Sequence, residues 1–181
     1  MRKTKTYLVS NFLSGFGAAH NMLADAIELR MSYIEQVCLS ATLIDGLLRL
    51  TLLMKQQLET NKGIVDPVLL YQGKRQKKYI TEKQMYERAV TEKIITKAIY
   101  GKLNVLYNQR NIIVHRYLIS DIKTKDVIHI ATKYIHLYLI IIERHRIVHN
   151  QLDKANIGIA QQFIANPSDV QILEQIMRKH F

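Results

Sequence analysis

The chain has 181 residues, of which 48% are hydrophobic, with 7 glycines, 2 prolines and no tryptophan. That length and composition fit a single packed globular domain over residues 1–181 and exclude a disordered tail. A formal net charge of +11 and a pI near 9.7 point toward polyanions, of which nucleic acid is the commonest in a cell, although charge alone names no function.

The first residues, Met1-Arg2-Lys3-Thr4-Lys5, start like a signal peptide, but the apolar stretch from Tyr7 to Phe16 is broken by Ser10, Asn11, Ser14 and Gly15 and has no convincing cleavage site. Residues 1–17 therefore read as a weakly structured start. Apolar positions Met22, Leu23, Ala26, Leu29, Tyr33, Ile34 and Val37 then recur in helical steps, and the pattern continues through Leu43, Ile44, Leu47, Leu48, Leu50 and Leu52. The periodicity predicts helix from about 18 to 60, bent near Ser40 or Gly46. The one cysteine, Cys38, excludes an internal disulfide and reads as a small buried hydrophobe. A reducing, cytoplasmic setting suits it.

Asn61-Lys62-Gly63 ends this region, and Asp66-Pro67 and Gly73 punctuate a basic linker over about 61–80. Its cluster Lys74-Arg75-Gln76-Lys77-Lys78 reads first as a solvated loop; Lys74, Arg75, Lys77 and Lys78, with Arg116 further on, are also the cations placed to help hold RNA. Thr81-Glu82-Lys83-Gln84 has the form of a capping box and predicts a helix to about Lys97. Further helices are expected over about 99–119 and from Asp126 to about Leu152, with a short final one starting at Asn166-Pro167. No segment alternates as a strand does. The longest continuous apolar run, Leu137 to Ile142, is far below the roughly 20 residues that span a bilayer, so no membrane span is expected.

The informative stretch is Leu106-Tyr107-Asn108-Gln109-Arg110-Asn111-Ile112-Ile113-Val114-His115-Arg116-Tyr117. On a helix with about 100° per residue, Arg110, Asn111, His115 and Tyr117 fall on one side. Val105, Ile112 and Ile119, with Leu106 and Ile113, then form the core face, and Val114 and Leu118 join the polar groups in a mixed face that suits a subunit interface. A two-fold dimer through it brings two arginines and two histidines together. Histidine, ionising near neutrality, suits proton transfer to and from a ribose and its phosphate, and arginine suits the charge that builds on the phosphoryl oxygens. No metal is required. The plain alternative for His115 is a helix histidine that packs and hydrogen-bonds.

The same arginine-to-histidine spacing recurs at Arg144 and His149, so the spacing by itself is weak. His145 and His149 stand four apart without an acidic third ligand, and no metal site is expected. The first copy is richer, because Asn111 follows the arginine. Arg110-Asn111-Ile112-Ile113-Val114-His115 resembles the signature of the HEPN superfamily, and the extension to Tyr117 resembles the variant in HepT toxins. The resemblance implies an all-α, antiparallel helical bundle with one or two extra helices. It also implies a homodimer with both motifs in a shared cleft, and metal-independent RNA cleavage by a toxin or phage-defence effector. Arg110 and His115 would be catalytic, supported by Asn111, without a cofactor. In the HepT type a nucleotidyltransferase antitoxin can attach AMP to the motif tyrosine, here Tyr117. A catalytically inactive HEPN module that binds RNA or nucleotide, and a helical interaction adaptor, are the other readings.

Overall fold

The computed structural model describes residues 5–29, 32–71 and 79–157. Among these the chain is all-α, with no strand: α1 (Lys5–Glu28), α2 (Tyr33–Thr60), α3 (Pro67–Leu70), α4 (Glu82–Thr91), α5 (Lys97–Arg116), a 3₁₀ turn (Tyr117–Ile119) and α6 (Thr124–Ala155). The expected helical bundle is present.

Helix α1 begins well before the position that apolar periodicity suggested. Leu8, Val9, Leu13 and Phe16 are buried along one face of it, while Ser14 and Gly15 face outward, so the polar residues that interrupt the stretch mark its solvent side. The break in the first helical region also lies elsewhere. It falls between Glu28 and Tyr33, where the Ser32 hydroxyl accepts from the Glu35 N–H at 3.3 Å and the buried Gln36 amide donates to the Ala26 carbonyl at 2.9 Å. Helix α2 runs unbroken through Ser40 and Gly46. Glycine at position 46 serves packing: a Cβ there would sit 3.0 Å from Phe16 Cδ2, so its absence lets α1 and α2 approach.

Helix α2 is the spine. It makes its most extensive contact with α6 and its next with α1. Thr51 meets His145, and further along Leu58 and Val148 border one cleft, so α2 and α6 run in the same direction across the bundle. By length and composition α2 could cross a membrane, yet its apolar surface is mostly buried inside the bundle, Val37, Ile44, Leu48 and Leu53 completely.

The linker contains a short helix. Asp66 caps α3, accepting from the Val68 N–H at 3.0 Å, with Pro67 at the first position. The capping box of α4 is formed as the sequence suggested: Thr81 N–H donates to Gln84 Oε1 at 2.9 Å, and the Gln84 N–H donates to Thr81 Oγ1 at 3.3 Å. Helix α4 stops at Thr91, six residues before the expected end, and Lys93 turns the chain in the left-handed region at φ 57°. Thr96 then caps α5, accepting from the Ile99 N–H. The final helix expected from Asn166-Pro167 and the cations Lys74, Arg75, Lys77 and Lys78 lie outside the described residues.

Candidate functional site

Helix α5 packs on the bundle through Ile99, Leu103, Leu106 and Ile113. Of the five residues expected on the core face from the helical wheel, only Leu106 and Ile113 are buried. Val105 and Ile112, with Ile119 just beyond the helix, are exposed instead, Val105 by 57% and Ile119 by 84%. Leu118 is 94% exposed, and Val114 is exposed as well. The core centre of α5 is therefore rotated toward Arg110 and Tyr117, and that rotation separates the four motif residues.

Arg110 lies at the margin of the core. Its Nη1 donates to Glu82 Oε2 at 2.6 Å, from the first turn of α4, and both side chains are largely covered, 20% and 16% exposed. Its Nε and Nη2 donate to Asn111 Oδ1 at 3.3 and 3.0 Å, so the two neighbouring motif residues form one hydrogen-bonded unit. The guanidinium carbon stands 4.9 Å from the Tyr107 ring centroid, a cation–π distance. Burial opposes the Arg110 charge, but the Glu82 carboxylate outweighs it, and its pKa is raised. Arg110 is thus a charged, oriented group.

The polar cluster extends inward. Tyr86 donates its hydroxyl to Glu82 Oε1. Tyr134 is completely buried, and its hydroxyl has no hydrogen-bond partner among the described residues, although it lies in the electrostatic field of Glu82 and Arg110. Burial, followed by the Glu82 charge, pushes both phenols far above their ordinary pKa. Cys38 borders the same cluster. It is only half-buried, not the enclosed hydrophobe expected; burial raises its pKa, and the Arg110 charge pulls the other way.

His115 is exposed in the last turn of α5, about 140° around the helix axis from Arg110, and makes no hydrogen bond among the described residues. It lies instead on the outward strip with Val105, Asn108, Ile112 and Ile119. The apolar members of that strip recur every seven residues, the period of a helix seam that packs against a partner helix. Arg116, beside His115, is exposed, and cations in a last turn complement the carbonyl end of a helix whatever else they do. Tyr117 opens the 3₁₀ turn, and its hydroxyl is paired with Thr124 Oγ1 at 3.0 Å.

The structure therefore joins Arg110 to Asn111 and leaves His115 and Tyr117 apart from them within one chain. Two clefts, of about 380 and 420 Å³, lie on other parts of the bundle, and none of the four motif residues lines either. Among the described residues no group of three or more His, Cys, Asp or Glu is arranged to hold a metal ion. The partner of Arg110 on α4 is one that local sequence patterns did not point to. Glu82 stood inside the recognised capping motif, yet nothing local links it to a residue 28 positions away.

Comparison with protein-family models, curated proteins and solved structures gives no match.

Proposed function

We propose that this chain is a HEPN-type, metal-independent endoribonuclease, a toxin or phage-defence effector acting in the cytoplasm, whose site is completed when two copies meet through α5. The observation that carries the reading is the setting of the motif. Arg110 is charged and held by Asn111, Glu82 and Tyr107, while His115 is exposed on a strip with Ile112 and Ile119 that no helix covers among the described residues. Within one chain the two groups diverge. A two-fold copy laid along the strip covers the apolar residues and supplies the second histidine and arginine.

In that site a neutral His115 imidazole takes the proton of a ribose 2′-hydroxyl, and the resulting oxygen attacks the adjacent phosphorus. The bond from phosphorus to the 5′-oxygen breaks, and the protonated His115 of the other copy donates to the departing oxygen. The products are a 2′,3′-cyclic phosphate and a 5′-hydroxyl. Arg110 from each copy stabilises the charge on the phosphoryl oxygens. No cofactor takes part. Arg116, exposed next to the motif, adds positive charge along the path of the RNA, as the linker cations Lys74, Arg75, Lys77 and Lys78 would. Tyr117, in the turn that follows α5, would take AMP from a nucleotidyltransferase-type antitoxin once its contact with Thr124 opens, and the added phosphate would obstruct RNA.

A second reading, a catalytically inactive module that binds RNA or nucleotide, is favoured by one observation: Glu82 already occupies one edge of the Arg110 guanidinium. Incubating purified wild type and His115→Ala with RNA in EDTA separates the two readings. The nuclease reading expects wild type alone to produce fragments ending in 2′,3′-cyclic phosphate. RNA retained but uncut by both proteins selects the inactive module, and cleavage that EDTA abolishes contradicts the mechanism.

A further inference from the structure

The first turn of α4 brings two side chains up to α5 from outside the motif. Glu82 is fixed on several sides: the capping box holds the turn that carries it, Tyr86 donates to one carboxylate oxygen, and Arg110 donates to the other at 2.6 Å. The Arg110 guanidinium is consequently clamped between Glu82, Asn111 and the Tyr107 ring. Three of its five N–H donors are engaged, which leaves one on each terminal nitrogen. Lys83, the next residue on α4, is exposed, and its ammonium lies 4.9 Å from the centroid of the same Tyr107 ring. Two cations therefore share one aromatic ring and stand no further apart than twice that distance. Only Arg110 has a carboxylate partner among the described residues. Two like charges around one ring raise the local positive potential, which favours an anion bound beside them.

From this we infer that the first turn of α4 is the second wall of the RNA site, where Glu82 positions the Arg110 guanidinium and Lys83 binds the backbone phosphate next to the scissile one. The inference rests on the ribonuclease reading above, and it adds a second helix to a site that the motif confined to one. Glu82 never touches RNA; it acts through Arg110. Lys83 contributes a phosphate contact without sequence preference.

The test uses the full chain with two probes: a cleavable single-stranded RNA, and the same RNA carrying 2′-O-methyl riboses, which can bind but cannot react. Glu82→Ala is expected to slow single-turnover cleavage at saturating RNA by about 10- to 100-fold, because a misplaced reacting group costs that much. Its affinity for the methylated RNA should stay within about threefold, since no phosphate contact is removed. Glu82→Gln, which still accepts from Arg110, should recover most of the rate. Lys83→Ala is expected to weaken the methylated RNA and to flatten the log affinity against log salt plot by about 0.7, one phosphate contact on a single strand. Lys83→Arg should restore both. A Glu82→Ala protein that cuts at the wild-type rate overturns the inference, as does a Lys83→Ala protein with the wild-type salt slope.

If wild type binds the methylated RNA but cuts nothing, the ribonuclease reading fails separately. Lys83 is then still judged by the salt slope, and Glu82 by the NMR signal of the Arg110 Nη1–H that donates to it. That signal should be sharp in wild type and Glu82→Gln and lost in Glu82→Ala; an unchanged signal in Glu82→Ala overturns the positioning role. A wild type without RNA affinity overturns the inference and the reading together.

Discussion

Arginine is followed by histidine five positions later twice in this chain, on α5 at Arg110 and His115 and on α6 at Arg144 and His149. The two copies differ in where their partners come from. Arg110 reaches across to Glu82 on another helix and is flanked by Asn111 and Tyr107. Beside the second copy two ion pairs are local. Arg146 pairs with Glu143 at 2.7 Å and His149 with Asp153 at 3.0 Å, each within a turn of α6, and Arg144 is exposed. His145, between them, is fully buried and meets Thr51 of α2 at 2.9 Å. Since the Thr51 hydroxyl also reaches the Leu47 carbonyl, where it can only donate, it accepts from His145 Nδ1–H, which fixes the neutral tautomer. One spacing has thus produced a cation oriented against another helix and, elsewhere, a surface ladder around a core histidine.

The largest expected effect tests the first half of that contrast. Arg110→Ala should reduce RNA cleavage by about 10³-fold or more, as removal of an arginine that stabilises a transferring phosphoryl group does. It should also lower stability by about 1–2 kcal/mol, because Glu82 is left largely covered without its cation. Single-turnover kinetics and thermal melting read the two losses separately. Wild-type cleavage in a folded Arg110→Ala protein would reduce α5 to the status of α6.

The next effect belongs to the core histidine. Burial, followed by the His149 charge, pushes the pKa of His145 down from 6.5 to about 3. Between those values the unfolded chain holds a proton that the folded one refuses, so stability rises with pH. The contribution of neutral His145 is complete above pH 6.5 and is lost progressively as the pH falls toward 3. Summed over that window it is on the order of a few kcal/mol. His145→Leu should flatten this acid limb while costing about 1 kcal/mol near neutrality for the lost hydrogen bond to Thr51. Denaturant melts at several pH values measure both. An acid limb identical to wild type would show that His145 does not govern it.

The same contrast explains what the sequence could disclose. Features built within a turn or two were legible. Thr81 and Gln84 announced α4, and the absence of strand alternation gave the all-α class, whereas Asp66-Pro67, read as linker punctuation, starts α3. The break between α1 and α2 was carried by Ser32 and Glu35, a capping pattern of the same kind, but the apolar rhythm running across it from Leu29 to Tyr33 concealed it. The motif was legible as a string of residue types. Its orientation was not, because the wheel fixes angles between residues and leaves open which angle meets the core. Packing of Leu103, Leu106 and Ile113 decides that, and it turns Arg110 toward α4 and His115 outward.

A smaller effect probes the outward strip. Ile112→Asp places a carboxylate on the seam of Val105, Ile112 and Ile119, away from the α5 core contacts. It should raise the dissociation constant of the proposed dimer by about tenfold or more, about 1.4 kcal/mol, while the monomer stays folded. Sedimentation across a concentration series reads this directly, and an unchanged self-association would remove the seam from the interface. Cleavage should fall with dimer concentration, since each copy completes the other.

The smallest expected effect concerns the second copy of the spacing. Arg144→Ala and His149→Ala should each leave cleavage within about twofold and stability within about 0.5 kcal/mol, the range of exposed substitutions away from caps, core and networks. His149 gives up only a half-exposed contact with Asp153 on its own helix, where screening by water leaves little to lose. Arg144 is exposed beside Ile147, Val148 and Lys93 on the rim of a cleft that contains none of the α5 motif residues. Cleavage assays on the two α6 variants alongside Arg110→Ala therefore separate spacing from setting. If Arg144→Ala matched the loss at Arg110, the spacing itself would be acting, and the interhelical contact with Glu82 would cease to distinguish the two helices.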